Sequence, residues 1–307
     1  MAESRSSEGK WLEGLRSEMP IQQAGRLVLQ ARLQPVLHWL EQFQQHPSDP
    51  EAIHQLRVSV RRSEAGLRLL RPCMRRKTYR EARATLRTLR ESVSATRDAD
   101  VLILNIQKCL ENASPSTRPG RELFLGFLLG RRSLLQQQPL PLLPSQLQQQ
   151  AERWLDALNR GKASAKSLTF GPFARNALHE AFERLENALK ADLSDEVALH
   201  AVRIAGKRLR YVIEIVGPSL DRSLVVEIYP QLENLQEILG LANDAHTAIG
   251  LLKLVRSSLS VLGSSGKEYR PGLESLLRLH RRQQLQQRRQ FQQWLNQWQS
   301  QPKSSRM

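Results

Sequence analysis

The sequence predicts an all-α protein, and three observations carry that prediction. Leu, Gln, Arg, Ala and Glu dominate the chain, all of them good helix formers. Apolar residues recur at three- and four-residue spacing, whereas runs of β-branched residues alternating with polar ones are missing. Aromatic content is only 5%. At 307 residues and 40% apolar content the chain can bury a substantial core.

The elements follow in order. Residues 1–18 are polar and rich in Ser and Glu, and a flexible lead-in is expected there. The first helix spans 21–46, with Leu29, Val36, Leu37, Leu40 and Phe43 in register and a kink expected at Pro35. Ser48 or Asp49 caps the second helix, which stops at Pro72. A helix over 78–93 is followed by an expected turn at 94–96 and a further helix from Arg97-Asp98-Ala99-Asp100, whose acids would suit a helix start. The loop at 114–120 precedes an apolar helix to 138. Pro139-Leu140-Pro141-Leu142-Leu143-Pro144 breaks the chain near its middle. A short helix over 145–159 and a loop at 161–166 lead to helices at 172–190, from Ser194-Asp195 to Pro218, near 224–239, after Asn243-Asp244, and over 273–298. The expected organisation is a first bundle at about 19–138, a linker at about 139–170, a second bundle at about 171–298 and a flexible tail at 299–307.

The two halves repeat each other. A gapless shift of about 146 residues aligns Ser48 with Ser194, His54 with His200, Arg57 with Arg203, Arg62 with Arg208, Pro72 with Pro218 and Asp98 with Asp244. About fifteen of roughly sixty positions are identical, where ordinary residue frequencies give about four. An internal duplication follows, with two similar bundles related by a pseudo-twofold axis.

The repeat centres on one stretch. His54, Arg57, Arg61 and Arg62 in the first copy match His200, Arg203, Lys207 and Arg208 in the second. Bases at the third, seventh and eighth positions after a histidine fall within an arc of roughly 140° on a helical wheel. Ile53, Leu56, Val60 and Leu67, like Leu199, Val202, Leu209 and Ile213, occupy the far side, so each helix can bury one face and hold cations on the other. A solvated face would interleave both signs at i,i+4 spacing, and only Glu64 and Glu214 lie near. An anion site is therefore the favoured reading. Guanidinium forks take phosphate oxygens bidentately, and a helical stripe spaces them for an extended phosphate chain. The two histidines are either phosphate donors or core residues, and the sequence leaves both open.

The net charge of +16 and pI of about 10.7 point the same way, toward nucleic acid, anionic membrane or polyphosphate. Arg131, Arg132, Arg281 and Arg282 extend the basic surface, although ordinary exposed helices account for them equally well. Asp98 and Asp244 read as helix caps or as acids orienting neighbouring bases; a metal site using Asp98, Asp100, Asp244 and His246 is disfavoured because the copies differ there. Trp39, Trp154, Trp294 and Trp298 read as packing residues, and the Gln-rich stretches 146–150 and 283–293 as solvated helix surface. Cys73 and Cys109 match no metal spacing, no secretory signal precedes the first helix, and no stretch approaches eighteen uninterrupted apolar residues. A cytoplasmic protein without a membrane span is expected. No nucleophile elbow, phosphate-cradling Gly-rich loop or Glu-x-Glu-x-Lys pattern is present, so neither enzyme activity nor a cofactor or metal is expected.

At these residues the sequence resembles the CHAD family, the conserved histidine α-helical domain. The resemblance rests on Ile53-His54-Gln55-Leu56-Arg57-Val58 with Arg61-Arg62, on Leu199-His200-Ala201-Val202-Arg203-Ile204 with Lys207-Arg208-Leu209-Arg210-Tyr211, and on Arg97-Asp98-Ala99-Asp100 and Asn243-Asp244-Ala245. It covers roughly 20–298. It implies two four-helix bundles about a pseudo-twofold axis with a basic central groove or pore. It also implies non-enzymatic binding of inorganic polyphosphate and targeting to polyphosphate granules. The sequence departs from the family at Gly206, at Ser63 and in the Pro-rich join at 139–144. A helical RNA- or DNA-binding protein using the same basic surface is the alternative, and a phosphohydrolase a weaker third. Oligomeric state is not readable.

Overall fold

The computed structural model describes residues 9–138, 140–160 and 168–301. The lead-in at 1–8, Pro139, the loop at 161–166 and the tail at 302–307 lie outside the described residues. The protein is all-α: α1 (Ile21–Gln45), α2 (Pro50–Leu69), α3 (Arg76–Glu111), α4 (Arg118–Gln136), α5 (Pro144–Asn159), α6 (Phe170–Ala188), α7 (Glu196–Leu220), α8 (Tyr229–Leu259) and α9 (Arg270–Ser300). A π-helical turn, Leu224–Ile228, leads into α8. A bridge between Pro20 and Thr169 is the one extended pairing among the described residues. α1 continues through Pro35, and α2 starts at Pro50, where the missing N–H costs nothing.

Two expected turns are absent. α3 runs unbroken through 94–96, and α8 through Asn243-Asp244. Asp98 and Asp244 are therefore interior helix residues rather than caps. The apolar stripe explains the continuity in α3: Leu89, Val93, Thr96, Asp100 and Ile103, at four- and three-residue spacing, are all buried. Hydroxyl groups that could stop a helix instead bond back onto it, Ser92 Oγ to the Leu89 carbonyl at 2.8 Å and Thr247 Oγ1 to the Asn243 carbonyl at 3.0 Å.

The long helices also explain how the chain divides. One compact unit gathers the described residues up to Val93, those from Leu140 to Gln236, and Gln301; the other gathers 94–138 and 237–300. The expected bundles at about 19–138 and 171–298 follow the sequence halves, whereas compactness cuts across both halves, because α3 and α8 each extend far enough to serve two cores. In the first unit α1 packs on α2 and α5, α6 on α7, and α2 on α7. Leu33, Leu40, Ile53, Leu56, Phe170 and Leu209 are buried at its centre. In the second unit Ile106, Phe124, Leu128, Leu252, Leu273 and Leu276 form the core.

Residues 9–18 are not a free lead-in. Leu12, Leu15 and Met19 are buried, Leu12 donates its N–H to the Glu214 carbonyl at 3.2 Å, and the Trp11 ring lies 4.7 Å from Tyr229. Gly171 and Phe170 donate to the carbonyls of Ser17 and Met19, each at 2.8 Å. The apolar residues Trp11, Leu12, Leu15 and Met19, burying area worth about 25 cal/mol per Å², outweigh the polar composition around them.

The stretch Leu224–Leu259 is long and apolar enough to cross a membrane by length and composition. Leu232, Leu235, Ala248 and Leu252 within it are core residues of the two units, whereas Val226, Leu241 and Leu254 are exposed.

In the second unit α4 and α9 approach backbone to backbone. A Cβ on Gly120 would stand 2.0 Å from the Tyr269 carbonyl oxygen and 2.8 Å from Gly272 Cα. Gly120→Ala must push the helices apart, with an expected loss of about 1–3 kcal/mol in a urea titration. An unchanged urea midpoint would contradict this packing.

Candidate anion-binding site

α2 and α7 carry the predicted cationic faces, and each is started by an aspartate. Asp49 accepts the Glu51 N–H at 2.9 Å, and Asp195 accepts the Ala198 N–H at 3.3 Å. Ile53, Leu56 and Val60 of α2 and Val202, Leu209 and Ile213 of α7 are fully buried, as the apolar side of each wheel requires.

With those sides buried, the cations of the two helices converge. Lys207 of α7 is held down to about 6, first by burial and then by repulsion from Arg61, Arg203, Arg57 and Arg210. Two of these arginines come from α2 and two from α7, so the faces that sequence periodicity described separately act on one ammonium group. The principal charges acting on Lys207 are all positive, so the two helices concentrate positive potential at this point.

The neighbouring bases go elsewhere. Arg62 Nε donates to Glu214 Oε2 at 3.0 Å, and Glu214 is fully buried. Tyr229 donates its hydroxyl to the other Glu214 oxygen at 2.7 Å, and Arg32, 2% exposed, reaches within 4.0 Å. Arg32 also donates to the carbonyls of Gly9 at 2.5 Å and Lys10 at 3.0 Å, and burial, opposed by Glu214, brings it down to about 10. Burial and Glu214 hold the Tyr229 hydroxyl above its ordinary range. Arg62 is thus engaged by an internal ion-pair partner, Glu214. Arg208, for its part, faces Arg68, Arg184 and Arg83, whose repulsion adds to burial in lowering it. Adjacent helical residues diverge by about 100°, which sends Arg61 and Lys207 to the shared cluster and Arg62 and Arg208 away from it.

The other predicted residues divide similarly. His54 is half-buried on α2 and His200 exposed on α7, each one turn ahead of its arginine. Arg131, Arg132, Arg281 and Arg282 belong to the second unit. There Arg132 pairs with the buried Asp100, while Arg131, Arg281 and Arg282 are exposed. Asp100 thus orients a base, the role the sequence offered for its neighbour Asp98. Trp154, Trp294 and Trp298 are packed in the interior, and Trp39 is half-buried. Among the described residues no three His, Cys, Asp or Glu side chains gather as metal ligands.

Arg210 was visible in the sequence only as part of a motif. It lies 5.0 Å from the Tyr211 ring centroid and 5.9 Å from that of Tyr229. Burial would pull it down, but Tyr211, Tyr229 and Glu214 outweigh that and hold it above its ordinary range. Gly206, a departure from the family pattern, permits the approach of α8: a Cβ there would meet Gln236 Nε2 at 2.8 Å and Leu235 Cδ2 at 2.9 Å. Gln236 in turn donates to the Arg203 carbonyl at 3.2 Å, fixing the backbone beneath the cluster. Ser63, the other departure, donates its hydroxyl to the Arg32 carbonyl at 2.5 Å, a bond that an apolar residue could not make.

Comparison with known proteins bears on the same region. The CHAD domain profile matches residues 27–253, which contain both His-Arg helices. Among solved structures, the CHAD domain from the plant Ricinus communis is similar with a TM-score of 0.64 at 22% identity, over 86% of this chain and 89% of that one. PptA from Streptomyces chartreusis is similar with a TM-score of 0.62 at 17% identity, over 92% of this chain and 100% of that one. At these identities the likeness establishes the fold. A search of curated protein sequences finds no match. With the profile spanning well over half of the chain and both structural neighbours sharing its helical architecture, the protein belongs to the CHAD domain family.

Proposed function

We propose that the protein binds inorganic polyphosphate without chemical turnover, through the bases that α2 and α7 direct at one another. The observation that carries the reading is Lys207, a half-buried side chain on which the positive charges of Arg57 and Arg61 of α2 and Arg203 and Arg210 of α7 act together. A polyphosphate chain supplies closely spaced anionic oxygens. Several guanidinium forks can engage it while Lys207 regains its proton. His54 and His200, one helical turn ahead of Arg57 and Arg203, are proposed as further donors to phosphate. Binding of this kind suits a cytoplasmic protein that associates with polyphosphate granules.

Direct binding of defined-length polyphosphate, with RNA of matched charge as competitor, tests the proposal. Polyphosphate is expected to displace RNA at concentrations at least tenfold below those needed for the reverse. Arg57→Ala combined with Arg203→Ala is expected to weaken polyphosphate binding by at least about 100-fold, since each charge-assisted contact contributes roughly 1.5–3 kcal/mol. RNA winning that competition would replace this reading with nucleic-acid binding. Affinity should fall steeply with salt under either outcome, because displaced counterions return to the phosphates.

A further inference from the structure

A second basic site lies in the first unit, lined by arginines that are not among the principal charges acting on Lys207. A cavity of about 370 Å³ is bounded by α2, α3, α6, α7 and the turn after α2. Arg68, Arg71, Arg83, Arg184 and Arg208 line it from five different segments, and Glu180 is the one acid in its wall. Glu180 is engaged by Arg184 at 3.1 Å, leaving a strong excess of positive charge. Burial and the repulsion of Arg68, Arg184 and Arg83 disfavour the charged form of Arg208, so these groups share one electrostatic space. A stripe along one helix would follow an extended polymer; arginines converging from several elements enclose a compact anion instead.

The cavity also has an apolar side. Tyr79, Phe173, Ala177 and Val212 contribute to its wall, and the Arg71 guanidinium stands 5.8 Å from the Tyr79 ring centroid. Tyr79, with Arg71 over one part of its ring, and Phe173 supply the aromatic part of the wall, and a volume near 370 Å³ falls within the range of small-molecule sites. Multiple phosphate-binding forks beside an aromatic wall match a molecule with a short phosphate tail and a planar head.

We propose that this cavity binds a nucleoside di- or triphosphate, its phosphates on Arg68, Arg83, Arg184 and Arg208 and its base against Tyr79 and Phe173. The site is independent of the proposed polyphosphate cluster, and the two can fail separately.

Calorimetric titration of the full chain with ATP, and separately with inorganic tripolyphosphate, tests it. ATP is expected to bind the wild-type protein more tightly than tripolyphosphate. Arg83→Gln with Arg184→Gln, both exposed positions, is expected to weaken ATP at least 30-fold while leaving long-chain polyphosphate binding at Lys207 unchanged. Tyr79→Leu is expected to weaken ATP several-fold and tripolyphosphate hardly at all. ATP affinity should survive in the Arg57→Ala, Arg203→Ala variant. Circular dichroism of each variant establishes that it is folded, and Arg68→Gln alone provides an independent probe should the double variant fail to fold. Equal ATP affinity in wild type and in a folded Arg83→Gln, Arg184→Gln variant would overturn the proposal. So would ATP loss confined to the Arg57→Ala, Arg203→Ala variant, or tripolyphosphate binding as tightly as ATP and equally well to wild type and Tyr79→Leu.

Discussion

Glu214→Gln is expected to lower the stability of the first unit by about 3–5 kcal/mol, the usual cost of removing one partner from a buried ion pair. Glu214 is fully buried and accepts from Arg62 Nε at 3.0 Å and from the Tyr229 hydroxyl at 2.7 Å, with Arg32 at 4.0 Å. Glutamine keeps the shape and removes the charge, leaving Arg32, itself 2% exposed, without its counterion. The residues at 9–12 should loosen with it, because Arg32 holds the carbonyls of Gly9 and Lys10 and Leu12 bonds to the Glu214 carbonyl. Urea titration gives the magnitude, and hydrogen exchange at Leu12 reports the loosening. Arg32→Met with Glu214→Leu should be less destabilised than Glu214→Leu alone, since the more deeply buried cation is then removed with its counterion and only Arg62, 16% exposed, is left uncompensated. A Glu214→Gln variant within about 1 kcal/mol of wild type would show that this network does not hold the unit together.

Lys207→Met is expected to act in the opposite direction, stabilising the free protein while weakening its hold on polyphosphate. The sign follows from linkage. The Lys207 ammonium titrates near 10.5 in the unfolded chain and at about 6 in the folded one. Between those values the unfolded state binds more protons, so stability rises with pH across the window. The cost of the lysine is greatest below pH 6 and disappears above pH 10.5. Methionine removes that cost, and the gain at pH 7 is on the order of 2–4 kcal/mol. The stability difference between variant and wild type should shrink as pH approaches 10.

A bound polyanion reverses the repulsion from Arg57, Arg61, Arg203 and Arg210 and raises the affinity of Lys207 for its proton. Polyphosphate binding of the proposed kind is therefore expected to be accompanied by proton uptake at pH 7.5 and to tighten as pH falls toward 6. Calorimetry in buffers of different ionisation enthalpy measures the uptake, which should vanish in Lys207→Met. Uptake unchanged in that variant would place the titrating group elsewhere.

Much of the local structure could be read from the chain. The buried sides of α2 and α7, their Asp49 and Asp195 caps and their cationic faces all follow from helical periodicity and capping chemistry, which are properties of neighbours in sequence. The turns expected at 94–96 and 243–244 were misread because Ser, Thr and Asp favour breaks in isolation. Within α3, burial of Thr96 and Asp100 and the pairing of Asp100 with Arg132 override that preference. Residues 9–18 were misread for a related reason: polar letters surround Trp11, Leu12 and Leu15, yet the α7 backbone and Tyr229 give those side chains somewhere to pack.

By itself the sequence determined that the protein is helical, strongly basic and marked by two matching His-Arg stretches, because helical period, composition and charge are local quantities. Only the tertiary structure decided which bases act together. Arg61 acts on Lys207, Arg62 turns to Glu214, and Arg208 shares a cavity with Arg68 and Arg83, since a 100° step between adjacent residues becomes a choice of partner only when another helix is packed against that face.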